Sequence, residues 1–207
     1  MAVVAGTSIF NSPDVRAITF FAEPYPHFEC PDFLDSETAD ALLSWLEGSQ
    51  WQPLALDGYE GYADISLNEA KLPNECTLLN NPDFLTEIRL FMARSFPIDS
   101  EGYVRVTAHR LLAGSSLTPH SDLSPLRFTH RLLVQLNRGW SFENGGLLCV
   151  YDENPLVQEN ANRKPVTPVH RSAFAFEVSE RSFHSVTPVV CGERFTLSYT
   201  FYPPSKR

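Results

Sequence analysis

Two hydrophobic periods divide this 207-residue chain near residue 100. Before that point apolar positions recur at helical spacing. Ala39, Leu42, Leu43 and Leu46 form one stripe, with Asp35 or Ser36 placed to cap it and Gly48 to end it. Phe84, Leu85, Ile88, Phe91 and Met92 form a second stripe after Pro82, expected to run to Pro97. Ile18, Thr19, Phe20 and Phe21 predict a short strand, and Pro24, Pro26 and Pro31 punctuate the segment after it. The stretch 58–72 is polar and turn-rich and reads as a lid or substrate loop.

After Tyr103 the period shortens. Runs rich in β-formers at 104–112, 131–136, 146–151, 168–177, 182–189 and 195–202 alternate with Gly, Pro, Asn and Asp. Many short strands without intervening helices predict an antiparallel sandwich or jelly roll, a mainly β fold whose mouth gathers side chains from distant strands. The expected organisation is one domain over 1–207, with a mixed helical scaffold at 1–100 and a β core at 101–203.

A hydrophobic fraction of 43% supplies enough apolar surface for a core. The net charge of −9 argues against a partner held by its phosphate backbone, so no nucleic acid is expected. Cys30, Cys76, Cys149 and Cys191 are scattered without a C-x-x-C pair. Cys149 and Cys191, in apolar runs, are expected to be reduced core thiols. The apolar start at residues 1–6 lacks a basic flank, and no stretch approaches the ~20 apolar residues of a membrane span. These features together predict a cytoplasmic protein without membrane contact; the oligomeric state is left open.

The chemistry concentrates in His120, Asp122 and His184. Two imidazoles and one carboxylate are the ligand set of a mononuclear non-haem iron site that leaves one side of the metal open. On a strand, residues two apart share a face, so His120 and Asp122 are expected to reach one ion while Ser121 points away. Each element alone has a plain alternative, since a His-x-Asp pair arises by chance and a lone histidine is often a hydrogen-bonded core residue. Their company changes the weight. Arg194 lies ten residues beyond His184 and shares a strand face with Thr196 and Ser198. Its neighbour Glu193 points to the opposite face, so an inward guanidinium would need a ligand carboxylate, with the Thr196 hydroxyl assisting. Arg131 either faces the mouth, to bind a substrate carboxylate, or forms a rim salt bridge. Gly145 and Gly146 are expected to serve a turn or bulge. Trp140, Phe142, His27 and His170 are read as structural or packing residues.

The stretches 113–122, 131–137 and 184–198, with Gly145 and Gly146 between them, resemble the iron(II)- and 2-oxoglutarate-dependent dioxygenases, in particular their prolyl-4-hydroxylase-like branch. Pro26-His27-Phe28 and Pro31-Asp32-Phe33-Leu34 are similar to the family's N-terminal start. The resemblance implies a double-stranded β-helix of the jelly-roll or cupin-like kind, preceded by an α/β scaffold. It implies His120, Asp122 and His184 as Fe(II) ligands and Arg194 as the anchor of the 2-oxoglutarate C5 carboxylate. The reaction it implies oxidises 2-oxoglutarate to succinate and CO2 while one oxygen atom enters an unactivated C–H bond of an amino acid, free or peptidyl; ascorbate is a candidate reductant. Related halogenases carry a small residue where this chain has Asp122, so hydroxylation is implied over chlorination.

Two positions depart from the pattern. Relatives often place a tyrosine nine residues before the first metal histidine; here it is Leu111, and His109, of the same strand parity, is the candidate substitute on the co-substrate. The nucleic-acid demethylase branch carries an arginine six residues beyond the anchor, where this chain has Thr200. Two other functions compete with hydroxylation: a catalytically silent jelly-roll binding or sensor module that keeps the metal site, and a cupin-like zinc or manganese enzyme, whose histidine-richer ligand set is absent.

Overall fold

The computed structural model describes residues 18–55, 57–68, 70–98, 101–124 and 127–204. The apolar start at residues 1–6 lies outside this range. Eleven strands among these residues form one curled antiparallel sheet. They are β1 (Thr19–Phe21), β2 (His27–Cys30), β3 (Gln52–Pro53), β4 (Tyr59–Ser66), β5 (Val104–His120), β6 (His130–Gln135), β7 (Leu148–Tyr151), β8 (Arg163–Val166), β9 (Ala173–Glu177), β10 (His184–Val186) and β11 (Arg194–Phe201). The hydrogen-bonded order is β1-β2-β9-β6-β11-β5-β10-β7-β8, with β4 on β5 and β3 on β4. The jelly-roll expectation of a mainly β fold with flanking helices holds.

Strand β5 makes the sheet curl. Its first half pairs with β11, from Val104 opposite Phe201 to Leu111 opposite Arg194. Its far end pairs with β10, where His120 faces His184. One strand thereby serves both walls of the barrel, and it runs on to His120 where the sequence pattern ended it at residue 112.

Two helices cover the outer face. Helix α1 (Ser36–Glu47) is capped by Asp35, whose Oδ1 accepts from the Thr38 amide at 2.9 Å, and Gly48 ends it. Helix α2 (Pro82–Met92) starts with the Asn81 side chain accepting from the Asp83 amide. It stops at Met92, short of Pro97, because the turn after it swings Phe96 inward against Phe28 and His130. Leu42, Leu46, Phe84 and Ile88 meet Leu132, Val134, Leu197 and Phe201 of the sheet in one buried cluster. A smaller cluster of Tyr25, Leu148, Val150, Phe174 and Phe176 packs β7 against β9, with the Phe176 ring 4.8 Å from that of His184. No helix among the described residues is long and apolar enough to cross a membrane.

Three expectations need correction. The segment 58–72 is largely strand β4, paired with β5 from Tyr59–Leu117 to Ser66–Thr107. Its glycines and polar residues read as loop because Gly61 forms a bulge there, and a Cβ at Gly61 would lie 2.1 Å from Ser115 Oγ. Strands β2 and β8 are too short or too exposed to show a period, and they pass unseen in the pattern. Cys191 is exposed rather than in the core, because its apolar run is a turn, where Asn144 Nδ2 donates to its sulfur; the other three thiols are buried, and none of the four forms a disulfide.

Candidate metal and oxoacid site

His120, Asp122 and His184 converge at the mouth of the barrel. Their ligand atoms all lie within 4.8 Å of one another. His120 Nε2 is 3.7 Å from Asp122 Oδ1, and His184 Nε2 is 3.5 Å from Asp122 Oδ2. Each imidazole is oriented by its other nitrogen. Nδ1 of His120 donates to the Thr118 carbonyl at 2.7 Å, and Nδ1 of His184 donates to the Ser182 carbonyl at 2.8 Å. A carbonyl only accepts, so each ring carries a proton on Nδ1 and turns Nε2, the nitrogen that metal ligation would use, into the site. Burial pushes the pKa of His184 down to about 4, which keeps it neutral.

Asp122 reaches the site by a different route from the one expected. It lies beyond the end of β5, and its φ of 62° puts it in the left-handed region. The His120–Asp122 convergence is therefore made by a turn off the strand end and not by strand parity. Asparagine and aspartate tolerate this conformation best among residues with a Cβ. Burial favours the protonated acid, but Arg131 and the flanking imidazoles overcome it and hold the carboxyl below its ordinary value.

In the same pocket stand Arg194, Thr196, His109 and Tyr62, with Tyr59 against His120. Arg194 is buried and forms no ion pair among the described residues. Its Nη1 donates to Thr196 Oγ1 at 2.8 Å, and its Nε has no partner. Thr196 in turn donates to Gln135 Oε1 at 3.1 Å. Desolvation lowers the Arg194 pKa to about 10, leaving it charged at neutral pH. Glu193 turns away to Arg110, as expected of the opposite face. Gly146 makes room for this arginine: a Cβ there would sit 2.9 Å from Arg194 Cδ, at a backbone φ of 59°. A buried guanidinium with an unsatisfied donor and no acidic mate fits a ligand carboxylate.

His109 lines the pocket between the two arginines, and burial followed by their charges drives its pKa to about 3. It is a neutral imidazole packed 5.0 Å from the Tyr62 ring. Arg131 also lines the pocket, with Nε 2.7 Å from Asp122 Oδ2. Trp140 packs with Val189 and donates from Nε1 to the Gly145 carbonyl, whereas Phe142 is exposed. His27 is buried under Phe21, and His170 meets Asp40, both outside the pocket.

Sequence patterning missed Tyr59, Tyr62 and Gln135. Tyr62 sits in register with Leu111, so a phenol from the neighbouring strand stands beside the position where relatives carry a tyrosine. Tyr59 and Tyr62 are three residues apart, yet both line the pocket because the Gly61 bulge resets the alternation. The readable signal was the cluster of β-forming Tyr59, Tyr62 and Ile65 inside a segment judged by its glycines.

A curled antiparallel sheet has two imidazoles and one carboxylate at its mouth and a buried arginine within, an arrangement similar to that of the iron(II)- and 2-oxoglutarate-dependent oxygenases. Residues 106–202 match the model of the 2OG-Fe(II) oxygenase superfamily, a span that holds all seven residues expected from sequence to serve the site: His109, His120, Asp122, Arg131, His184, Arg194 and Thr196. The chain is 28% identical over 200 residues to prolyl 3-hydroxylase OGFOD1 of Mus musculus, covering 92% of this chain and 35% of that protein. It spans about a third of that curated relative's length. Its fold is similar to a prolyl-4-hydroxylase of Pseudomonas putida, with a TM-score of 0.68 and 18% identity, covering 86% of this chain and 92% of that one. A prolyl hydroxylase of Trichoplax adhaerens, solved with a hypoxia-inducible-factor peptide fragment, gives a TM-score of 0.64 at 13% identity, covering 85% and 83%. Over residues 106–202 the chain is thus similar to the 2OG-Fe(II) oxygenase superfamily, and its fold is similar to that of prolyl hydroxylases.

Proposed function

We propose that this protein hydroxylates an unactivated C–H bond of an amino acid residue, free or within a peptide, with 2-oxoglutarate converted to succinate and CO2. One observation carries the proposal. A pre-oriented His120–Asp122–His184 set and the acid-free guanidinium of Arg194 open into the same pocket. The iron(II) that this donor set fits would supply the activation of dioxygen and of the oxoacid's keto group.

The chain's own residues do the rest. His120, Asp122 and His184 hold the metal on one side and leave the other open. Arg194, steadied by Thr196 and Gln135, binds the distal carboxylate of the oxoacid, and the free Nε supplies the donor that carboxylate satisfies. His109, kept neutral, and Tyr62 flank that carboxylate and exclude water from it. Tyr59, packed 5.2 Å from His120, walls the substrate side. Each terminal nitrogen of Arg131 keeps a second N–H for a substrate acceptor. A peptidyl substrate is favoured by the peptide complex of the Trichoplax relative and by the prolyl 3-hydroxylase relative. Ascorbate is proposed as the reductant that restores iron(II), and the cytoplasm as the compartment, in keeping with free thiols.

Anaerobic addition of iron(II) and 2-oxoglutarate tests the reading. A weak visible charge-transfer band is expected, followed by slow succinate release on admitting oxygen. Screening free amino acids and proline-containing peptides for faster succinate release then finds the substrate. Absence of both band and succinate would leave a binding module in place of an enzyme.

A further inference from the structure

The ion pair between Asp122 and Arg131 is accounted for neither by metal ligation nor by oxoacid binding. We infer that Arg131 is a positioning residue: it clamps the outer edge of the Asp122 carboxylate and thereby aims the other edge at the two imidazoles. The inference rests on the metal-site reading above.

The backbone does not do this work. Asp122 lies past the last paired residue of β5, in a left-handed conformation, so neither strand pairing nor strand parity directs its side chain. The main chain just before it is pinned by Ser182 Oγ donating to the Ser121 carbonyl at 2.8 Å, but the carboxylate can still rotate. Its nearest neighbours besides Arg131 are the Nε2 atoms of His120 and His184, at 3.7 and 3.5 Å. Both Nδ1 atoms are turned to carbonyls, and neither Nε2 atom makes a hydrogen bond to the carboxylate that would direct it. Something must hold the group there before a cation arrives.

Arg131 does so from the opposite side. Its Nε is 2.7 Å from Oδ2, and its Nη2 donates to Oδ1 at 3.4 Å. The guanidinium is itself fixed from two other directions. Nη1 donates to Ser198 Oγ on β11 at 3.2 Å, and the Phe128 ring lies 4.8 Å from its carbon. Arg131 stands mid-sheet on β6, opposite Thr200 of β11, so its own backbone is rigid. A guanidinium held against one edge of the carboxylate, by the Nε–Oδ2 ion pair and the Nη2 hydrogen bond to Oδ1, leaves lone pairs on the other edge free, which favours ligation through one oxygen and keeps coordination places open. The guanidinium charge also repels a dication. That repulsion is screened by water at the open mouth of the pocket, whereas lost aim acts directly on ligation.

Cobalt(II) titration of the full chain, read by the visible d–d bands, tests this without turnover. Arg131→Met is expected to weaken cobalt binding roughly 10- to 100-fold and to change the band shape, as loss of an outer-shell partner does elsewhere. Arg131→Lys keeps the charge without the fork and stays several-fold weaker than wild type. Ser198→Ala alters no charge and loosens only the guanidinium, so a smaller weakening of the same sign reports positioning by itself. Circular dichroism checks that each variant folds; if Arg131→Met does not, the lysine and Ser198→Ala variants decide. Affinity within about twofold of wild type, or tighter, with unchanged bands overturns the inference while His184→Ala still abolishes binding. A wild type that takes up no cobalt overturns the metal site and this inference together.

Discussion

Along β11, Phe195, Leu197, Tyr199 and Phe201 turn toward the helices, while Arg194, Thr196, Ser198 and Thr200 turn into the barrel, and all eight are buried. The neighbouring β6 repeats the division, with His130, Leu132 and Val134 outward and Arg131, Leu133 and Gln135 inward. Equal burial thus hides opposite chemistry. The outward face is held chiefly by packing, with Tyr199 Oη donating to the Leu79 carbonyl and His130 Nδ1 bonded to Thr129 Oγ1. The inward face carries charge and hydroxyls that the protein only partly satisfies, and the remainder is what a ligand supplies.

Breaking the inward face should cost binding and little stability. The largest effect is expected from His184→Ala, which removes a ligand of the proposed metal. Metal uptake and succinate formation should fall at least a thousandfold, about 4 kcal/mol or more, while the apo protein melts within a few degrees of wild type. Retained uptake would show that the metal sits elsewhere. Arg194→Met comes next. It should weaken 2-oxoglutarate binding by about 2–5 kcal/mol, as loss of a buried charge partner does, with cobalt affinity unchanged. The apo variant should be no less stable than wild type, because a desolvated and unpaired charge has been removed. Calorimetric titration and urea unfolding read the two halves, and a clear loss of apo stability would contradict the division of faces.

Breaking the outward face should do the reverse. Leu197→Ala opens a cavity in the helix–sheet core and should cost about 2–5 kcal/mol in urea unfolding. Its 2-oxoglutarate affinity, measured where the variant is folded, should match wild type. The smallest effect concerns His130, buried against Phe96, whose pKa burial and the Arg89 charge lower to about 4. The unfolded chain binds this proton near pH ~6.5, more tightly than the folded one. The contribution is fully present above that pH, is lost as pH falls toward 4, and levels off below. His130→Phe should therefore flatten the stability–pH curve near pH 5 by up to about 1.4 kcal/mol per pH unit. Parallel curves for the two proteins would sink the assignment.

Much of this was legible in residues alone, and the reasons are local. The helix caps Asp35 and Gly48 act within one turn, so their sequence positions suffice. The alternation of β11 survives because its two faces differ in polarity even though both are buried. Strand β4 was not legible, since the Gly61 bulge breaks the period that would have announced it, and Tyr59 and Tyr62 were lost with it. Arg131 was visible as a charge near the mouth. Its attachment to Asp122 was not, because nothing in a spacing of nine residues says that a turn returns the chain to the same point.

The sequence by itself determined the donor set, the order of its members and the presence of an arginine without an acidic mate. These are identities, and chemistry attaches to identity. Tertiary structure decided their geometry: which nitrogen of each histidine faces inward, that Asp122 enters by a left-handed turn, and that a guanidinium from β6 holds it there. The physical reason is that β5, β6, β10 and β11 are hydrogen-bonded neighbours in space though far apart along the chain. Their side chains acquire partners only when the sheet closes.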